Sequence, residues 1–275
     1  MKIIYLSFAL LLVVSTTVAQ EKDSRKTERS AKKDARREKI DNLIRQQEEG
    51  ALVFNKQNVF GLRLNTDGWG VVYEKGYLKT VKTTNLFALE LNEKKHPKEQ
   101  KINNVLNNNG FLQIGNPYVY GKRNSFYQLK LSYGQQRMLG GKTNKNGVAV
   151  HAIYAGGISA GFERPYYVRV QDNSPEGTRN IKYTPADSSL FLAPAPNILM
   201  GTGLRYGWNE LKFVPGVHAK AALRFDYGRF NEVVTAIEIG MNIEAYSRKV
   251  QIMLLNPDQQ VFFNGYIALM FGKRK

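Results

Sequence analysis

Histidine and serine are the residues from which this chain could build nucleophilic or acid–base chemistry, and their spacing speaks against it. The three histidines are His96, His151 and His218. A serine hydroxyl becomes a nucleophile when an imidazole base lies within hydrogen-bond reach, usually oriented by a carboxylate. No serine stands two residues from any of the three, so no strand presents such a pair locally. The His-Glu-x-x-His spacing of zinc hydrolases is absent. Cysteine is absent too, which excludes thiol nucleophiles, thiolate metal sites and disulfides. Gly201-Thr202-Gly203 followed by Gly207 matches neither the dinucleotide nor the P-loop spacing and has no flanking βα unit. No catalytic, metal-binding or cofactor-binding residue is assigned, and no cofactor is expected.

The remaining polar chemistry is electrostatic. The 275 residues hold 40 Lys and Arg against 23 Asp and Glu, a formal net charge of +17. Four cations, Arg63, Lys130, Lys220 and Arg224, fall opposite the apolar faces of alternating segments. So do four anions, Glu74, Glu90, Glu238 and Glu244. Charges enclosed away from water must pair, because an unpaired one costs several kcal/mol. Equal numbers of each sign predict a structural ion-pair network, whereas an open pore would show an excess of one sign. A gated small-solute pathway is the competing reading. His151 and His218 point the same way as these charges and are expected as hydrogen-bonded filler.

The elements that must position these side chains read as strands. Phe60, Leu62 and Leu64 alternate with Gly61, Arg63 and Asn65; after Thr66-Asp67-Gly68, Trp69, Val71 and Tyr73 alternate again. Asp-Gly between two alternating runs signals a hairpin. Similar alternation recurs along the chain and gives eight strands, near 57–65, 69–79, 83–92, 124–134, 147–171, 217–229, 231–245 and 259–271. The fifth is too long for one membrane crossing; it projects beyond the bilayer, breaks at Pro165 or is two strands. A water-soluble sandwich also alternates, but here the apolar faces are long and the opposite faces are charged.

The connections are uneven. With the first strand running outward, three of the four far-side links (93–123, 172–216 and 246–258) are long and the near-side links are short. Bacterial outer-membrane barrels show this asymmetry, with an even strand number and both ends periplasmic. On these alternating strands, these links and the terminal Phe271, residues 55–272 resemble the small eight-stranded outer-membrane β-barrels of the OmpA/OmpX type. The resemblance implies an all-β fold, a transmembrane antiparallel up-and-down β-barrel. It rests on pattern, so no functional residue carries over.

Residues 1–19 have a lysine, an apolar stretch from Ile3 to Val14 and the small-residue ending Thr17-Val18-Ala19, which reads as a cleaved secretory signal. Residues 20–54 form a charged periplasmic segment, helical or disordered, with ten basic and eight acidic residues between 21 and 50. Ile40, Leu43 and Ile44 make one stripe near its end, a candidate for docking a partner. Lys273, Arg274 and Lys275 are expected as a basic tail. Most of the positive surplus lies on the periplasmic side of this topology, where it would meet anionic lipid or peptidoglycan. Nucleic acid is not expected as a partner of a secreted chain; outer-membrane lipid and other envelope proteins are. The expected role is a non-catalytic structural or accessory barrel acting through protein contacts in envelope assembly or secretion. The alternatives are a lipid-modifying outer-membrane enzyme, or a narrow channel or ligand-binding barrel.

Overall fold

Alternation alone makes a strand two-faced; here both faces find their solvent because the sheet closes. The computed structural model describes residue 33 and residues 55–275 except 109–110, 143–146, 173–176, 194–196 and 229–232, with backbone only at 105–108 and 111–114. The chain divides into two units, Met1–Val53 and Phe54–Lys275, and the architecture below is that of the second. The signal, nearly all of the charged segment, and Ile40, Leu43 and Ile44 lie outside the described residues.

In chain order come β1 (Lys56–Asn65), β2 (Gly68–Thr80) and β3 (Thr83–Lys94). Four short strands follow in the first long connection, β4 (Lys101–Ile102), β5 (Val105–Asn108), β6 (Phe111–Ile114) and β7 (Tyr118–Val119). Next are β8 (Asn124–Gly140), β9 (Ala149–Pro165), β10 (Tyr167–Gln171), β11 (Thr178–Lys182) and β12 (Ile198–Gly201). β13 (Lys212–Asp226), β14 (Val233–Val250) and β15 (Gln259–Arg274) complete the chain. Eight strands close in the order β1-β15-β14-β13-β9-β8-β3-β2, every pairing antiparallel. The seam joins first strand to last: Phe60 lies opposite Phe271, and Lys56 N–H donates to Lys275 O at 2.8 Å.

The faces are sorted opposite to those of a water-soluble protein. Leu64 is 71% exposed and Phe263 69%, while Glu74 and Glu238 are fully buried. A continuous outward belt of Leu, Ile, Phe and Tyr exceeds any patch that a soluble monomer leaves bare. Lipid is the solvent that suits it, and closure leaves no strand edge unpaired in hydrocarbon. This is a transmembrane barrel.

Several expected strand ends need correction. Of the readings open for the 147–171 run, the break at Pro165 into two strands holds: β9 ends there, and β10 belongs to a separate three-stranded sheet ordered β11-β10-β12. The chain turns away at Tyr166, whose N–H donates to Arg123 O at 2.9 Å. β13 begins at Lys212 rather than 217, β8 runs to Gly140 rather than 134, and β14 runs to Val250 rather than 245. Lys273 and Arg274, expected in a tail, pair within β15. The common cause is that backbone pairing continues past the bilayer, where outward residues such as Gln135 and Arg137 no longer need to be apolar.

The small sheet β11-β10-β12 and one helical turn at Ser188–Phe191 form a folded unit above the far mouth. They enclose their own core of Val168, Val170, Ile181, Phe191 and Ile198, with Tyr118 and Tyr166 beneath. The Tyr166 hydroxyl accepts the Val119 N–H at 3.1 Å, tying this unit to the first long connection.

Candidate functional site: the charged lumen

An eight-stranded barrel is just wide enough for side chains to fill it, so inward residues from opposite walls meet. β13 and β2 stand four places apart in either direction around the ring. Arg224 on β13 nonetheless donates through Nη2 to Glu74 Oε2 on β2 at 2.5 Å. Its Nε and Nη2 also donate to Glu238 Oε2 on the neighbouring β14, at 2.9 and 2.5 Å. Two repeats of the alternation away on β13, Lys220 reaches Glu90 Oε1 at 2.8 Å and Glu74 Oε1 at 3.4 Å. Arg63 donates to the other Glu90 oxygen at 2.6 Å and lies 4.0 Å from the centre of the Tyr266 ring. Tyr266 OH completes the cluster by donating to Glu238 Oε1 at 2.6 Å. Three guanidinium or ammonium groups thus meet three carboxylates across the barrel axis.

The other two sequence-predicted charges form a second level. Glu244 takes Lys130, and it accepts from Gln128 Nε2 at 2.6 Å and Asn242 Nδ2 at 2.5 Å. Lys94, from the opposite wall, stands 3.2 Å from Glu244 and also pairs with Asp67 in the first turn. A third level closes the near end, where Asp226 binds Arg274 and has Lys142 at 3.5 Å. At the far end, Arg248 donates to Glu163 at 2.7 Å.

Sequence reasoning missed Lys94, Asp67, Asp226, Lys142 and Arg274 as lumen residues. Lys94 was legible, since Glu90, Asn92 and Lys94 continue one alternation beyond the expected strand end. Asp226 lies inside the expected 217–229 strand, on the same inward face as Lys220, Ala222 and Arg224.

His218 is the surprise among the histidines. Its Nε2 lies 2.8 Å from Ser132 Oγ and its Nδ1 2.9 Å from Ser159 Oγ. Ser132, Gly157 and His218 face one another in register on three adjacent strands. Gly157 has no side chain to stand between imidazole and hydroxyl; a Cβ there would lie 1.8 Å from Leu131 O. Both imidazole nitrogens are occupied by hydroxyls, so none is left for an orienting carboxylate. All three side chains are buried in the lumen, whereas lipid chemistry needs its nucleophile at the bilayer. The arrangement is one of buried hydrogen bonds between three polar side chains, without the oriented base of a triad. His151 is buried near the Asp226 end, and His96 sits in the first long connection with its Nδ1 accepting the Lys98 N–H at 3.2 Å. Burial, helped by Lys98 and opposed by Glu99, holds the His96 imidazole below its ordinary pKa. Among the described residues, no group of three or more His, Asp or Glu side chains could hold a metal ion.

Outside the membrane, Glu210 binds Lys182 and accepts the Tyr167 hydroxyl at 2.6 Å. The Lys182 hydrogen bond, then that from Tyr167, holds the Glu210 carboxyl below its ordinary value, and the same contact raises Lys182. Arg164 is packed among aromatic rings at the same rim, 4.9 Å from Trp208 and 5.5 Å from Tyr127.

A closed eight-stranded antiparallel cylinder, apolar outside and ion-paired within, defines a small β-barrel of the outer-membrane class. No protein-family model and no curated protein matches the chain. Among solved structures it is similar to Neisserial surface protein A, at 7% identity and TM-score 0.39, covering 81% of this chain and 97% of that one. It is also similar to the N-terminal β-barrel domain of Pseudomonas aeruginosa OprF, at 8% identity and TM-score 0.31, covering 80% and 98%. A third similar structure is Ail of Yersinia pestis in complex with the heparin analogue sucrose octasulfate, at 9% identity and TM-score 0.31, covering 81% and 100%. The architecture rests on the closed sheet and its faces, not on these neighbours.

Proposed function

We propose that the chain is a non-catalytic, non-conducting barrel of the bacterial outer membrane that works through protein contacts made at its two ends, in envelope assembly or secretion. The observation that carries this reading is the Arg224–Glu74 bond across the diameter of the lumen. Ions would have to break a buried pair to pass, and the rest of the network would have to rearrange with it. The ends, by contrast, are elaborated. The far mouth carries the β10–β12 unit with its own core, a rigid surface for contact.

Both termini are periplasmic in this reading. The connection between β2 and β3 at this end is a two-residue turn, while the long connections lie at the other. The near rim is basic, with Lys56, Lys79, Lys82, Arg137 and Lys273 outside the lumen, and suits anionic headgroups or peptidoglycan. Residues 20–54 extend the contact surface after cleavage behind Ala19, with Ile40, Leu43 and Ile44 as the docking stripe. Affinity isolation from mildly solubilised membranes tests the reading: the full chain should bring down envelope proteins that a chain lacking 21–50 loses. An identical monomer from both would refute it.

A further inference from the structure

The outward face is not uniformly covered. Four residues stand side by side on adjacent strands: Lys75 on β2, Phe87 on β3, Tyr133 on β8 and Gly156 on β9. Gly156 ends the row without a side chain, leaving a groove of about 570 Å³ walled by Tyr73, Phe87, Leu131, Tyr133 and Ile158. That is within the range of small-ligand sites, about 300–1,000 Å³. One row toward the far end, Tyr73, Leu89, Leu131 and Ile158 continue the groove as a purely apolar channel apart from one phenol. One row toward the near end the chemistry switches. Tyr77, Asn85, Gln135 and Tyr154 form a polar ladder, with Tyr154 OH donating to Gln135 Oε1 at 2.6 Å and Gln135 Nε2 to Asn85 Oδ1 at 3.3 Å.

The ladder marks the level at which the outer wall stops being hydrocarbon-facing, and the groove opens onto it. Lys75 stands one row from the ladder on the lipid side, exposed, with its Nζ 5.9 Å from the ring centre of Tyr77 in the ladder. A lysine on the lipid face is disfavoured near the midplane and tolerated at the interface, where its ammonium can meet a headgroup.

We propose that this is a site for one glycerophospholipid, an acyl chain lying in the Gly156 groove and the phosphate held by Lys75. The occupant is committed by the surroundings: the groove lies in the bilayer, is apolar along its length and has a cation at its interfacial mouth. Its source, the inner leaflet, rests on the orientation proposed above. Phosphatidylglycerol should be preferred to a zwitterionic lipid because Lys79 adds a second positive charge on the same strand face.

Native mass spectrometry of the purified full chain with added phosphatidylglycerol tests this. One lipid should survive detergent removal on the wild type. Gly156→Leu should cut the retained fraction at least fivefold, since a Cβ there meets only His218 O at 3.5 Å and the longer side chain fills the groove without strain. Gly265→Leu, an equally open outward position on β15 across the barrel, should retain lipid like the wild type. Lys75→Gln should weaken the preference for phosphatidylglycerol over phosphatidylethanolamine, and an unchanged preference would overturn the role of Lys75. Equal retention by wild type and Gly156→Leu, or loss in Gly265→Leu as well, would overturn the site. Lipid A copurifying from cells in place of phospholipid would overturn the source and the orientation while leaving the non-conducting reading standing.

Discussion

Replacing Glu238 by glutamine removes one charge from the lumen while keeping its volume. Glu238 is fully buried and accepts from Arg224 Nε at 2.9 Å, Arg224 Nη2 at 2.5 Å and Tyr266 OH at 2.6 Å. The amide can keep one acceptor for Arg224 but presents an NH2 or a single oxygen where two partners stood. Arg224 is then left with Glu74 as its charged partner, and the cluster acquires a surplus positive charge. Removing one member of a buried pair costs about 3–5 kcal/mol; the retained acceptor brings the expected loss to about 3 kcal/mol. Urea unfolding in lipid vesicles, followed by tryptophan fluorescence and by gel mobility before and after boiling, reads it directly. Arg224→Met strands both Glu74 and Glu238 and should cost more. The double variant should cost less than the sum, by at least about 1 kcal/mol, as groups in one network do. Strict additivity, or a Glu238→Gln loss under about 1 kcal/mol, would refute the claim that these charges are a coupled structural unit.

Other expectations follow from the geometry. Ser132→Ala leaves His218 Nε2 without its hydroxyl and should cost about 1–3 kcal/mol in the same unfolding assay. Lipid A and phospholipid profiles of a strain carrying it should match wild type; a changed profile would make the pair catalytic. Tyr166→Phe removes the acceptor of the Val119 N–H and should cost about 1 kcal/mol locally, read as faster proteolysis of the outer unit with the barrel intact; equal rates would contradict the tie. Glu210 has a lowered pKa in the folded chain, so its contact with Lys182 contributes stability above the ordinary glutamate value and loses it as pH falls through the lowered one. Corrected for the intrinsic pH dependence of amide exchange, protection of the β11 amides should fall at acid pH in the wild type and already be low in Glu210→Gln at neutral pH; wild-type protection that does not change with pH would contradict this.

How much was readable in the sequence depends on what the bilayer imposes. Within the hydrocarbon every outward position must be apolar and every inward one can be polar, so runs such as Val217 to Phe225 declare strand and facing together. That same rule put Arg63, Glu74, Glu90, Lys220, Arg224 and Glu238 on inward faces. Beyond the membrane the rule lapses, and β8, β13 and β14 therefore run further than alternation indicates. Lys94 lies just past the expected end of β3, in what reads as loop, and Asp226 ends β13 inside its expected span, at the rim. Partners within the lumen were not readable at all, because they depend on barrel closure. Arg224 and Glu74 are 150 residues apart, and Ser132 meets His218 only through the register that places Gly157 between them.

The most direct test of the account is the current through planar bilayers containing the purified, refolded chain. A lumen bridged by paired charges predicts a silent membrane, with the protein shown to be inserted by its heat-modifiable mobility. Reproducible ohmic steps from the wild-type chain would contradict it.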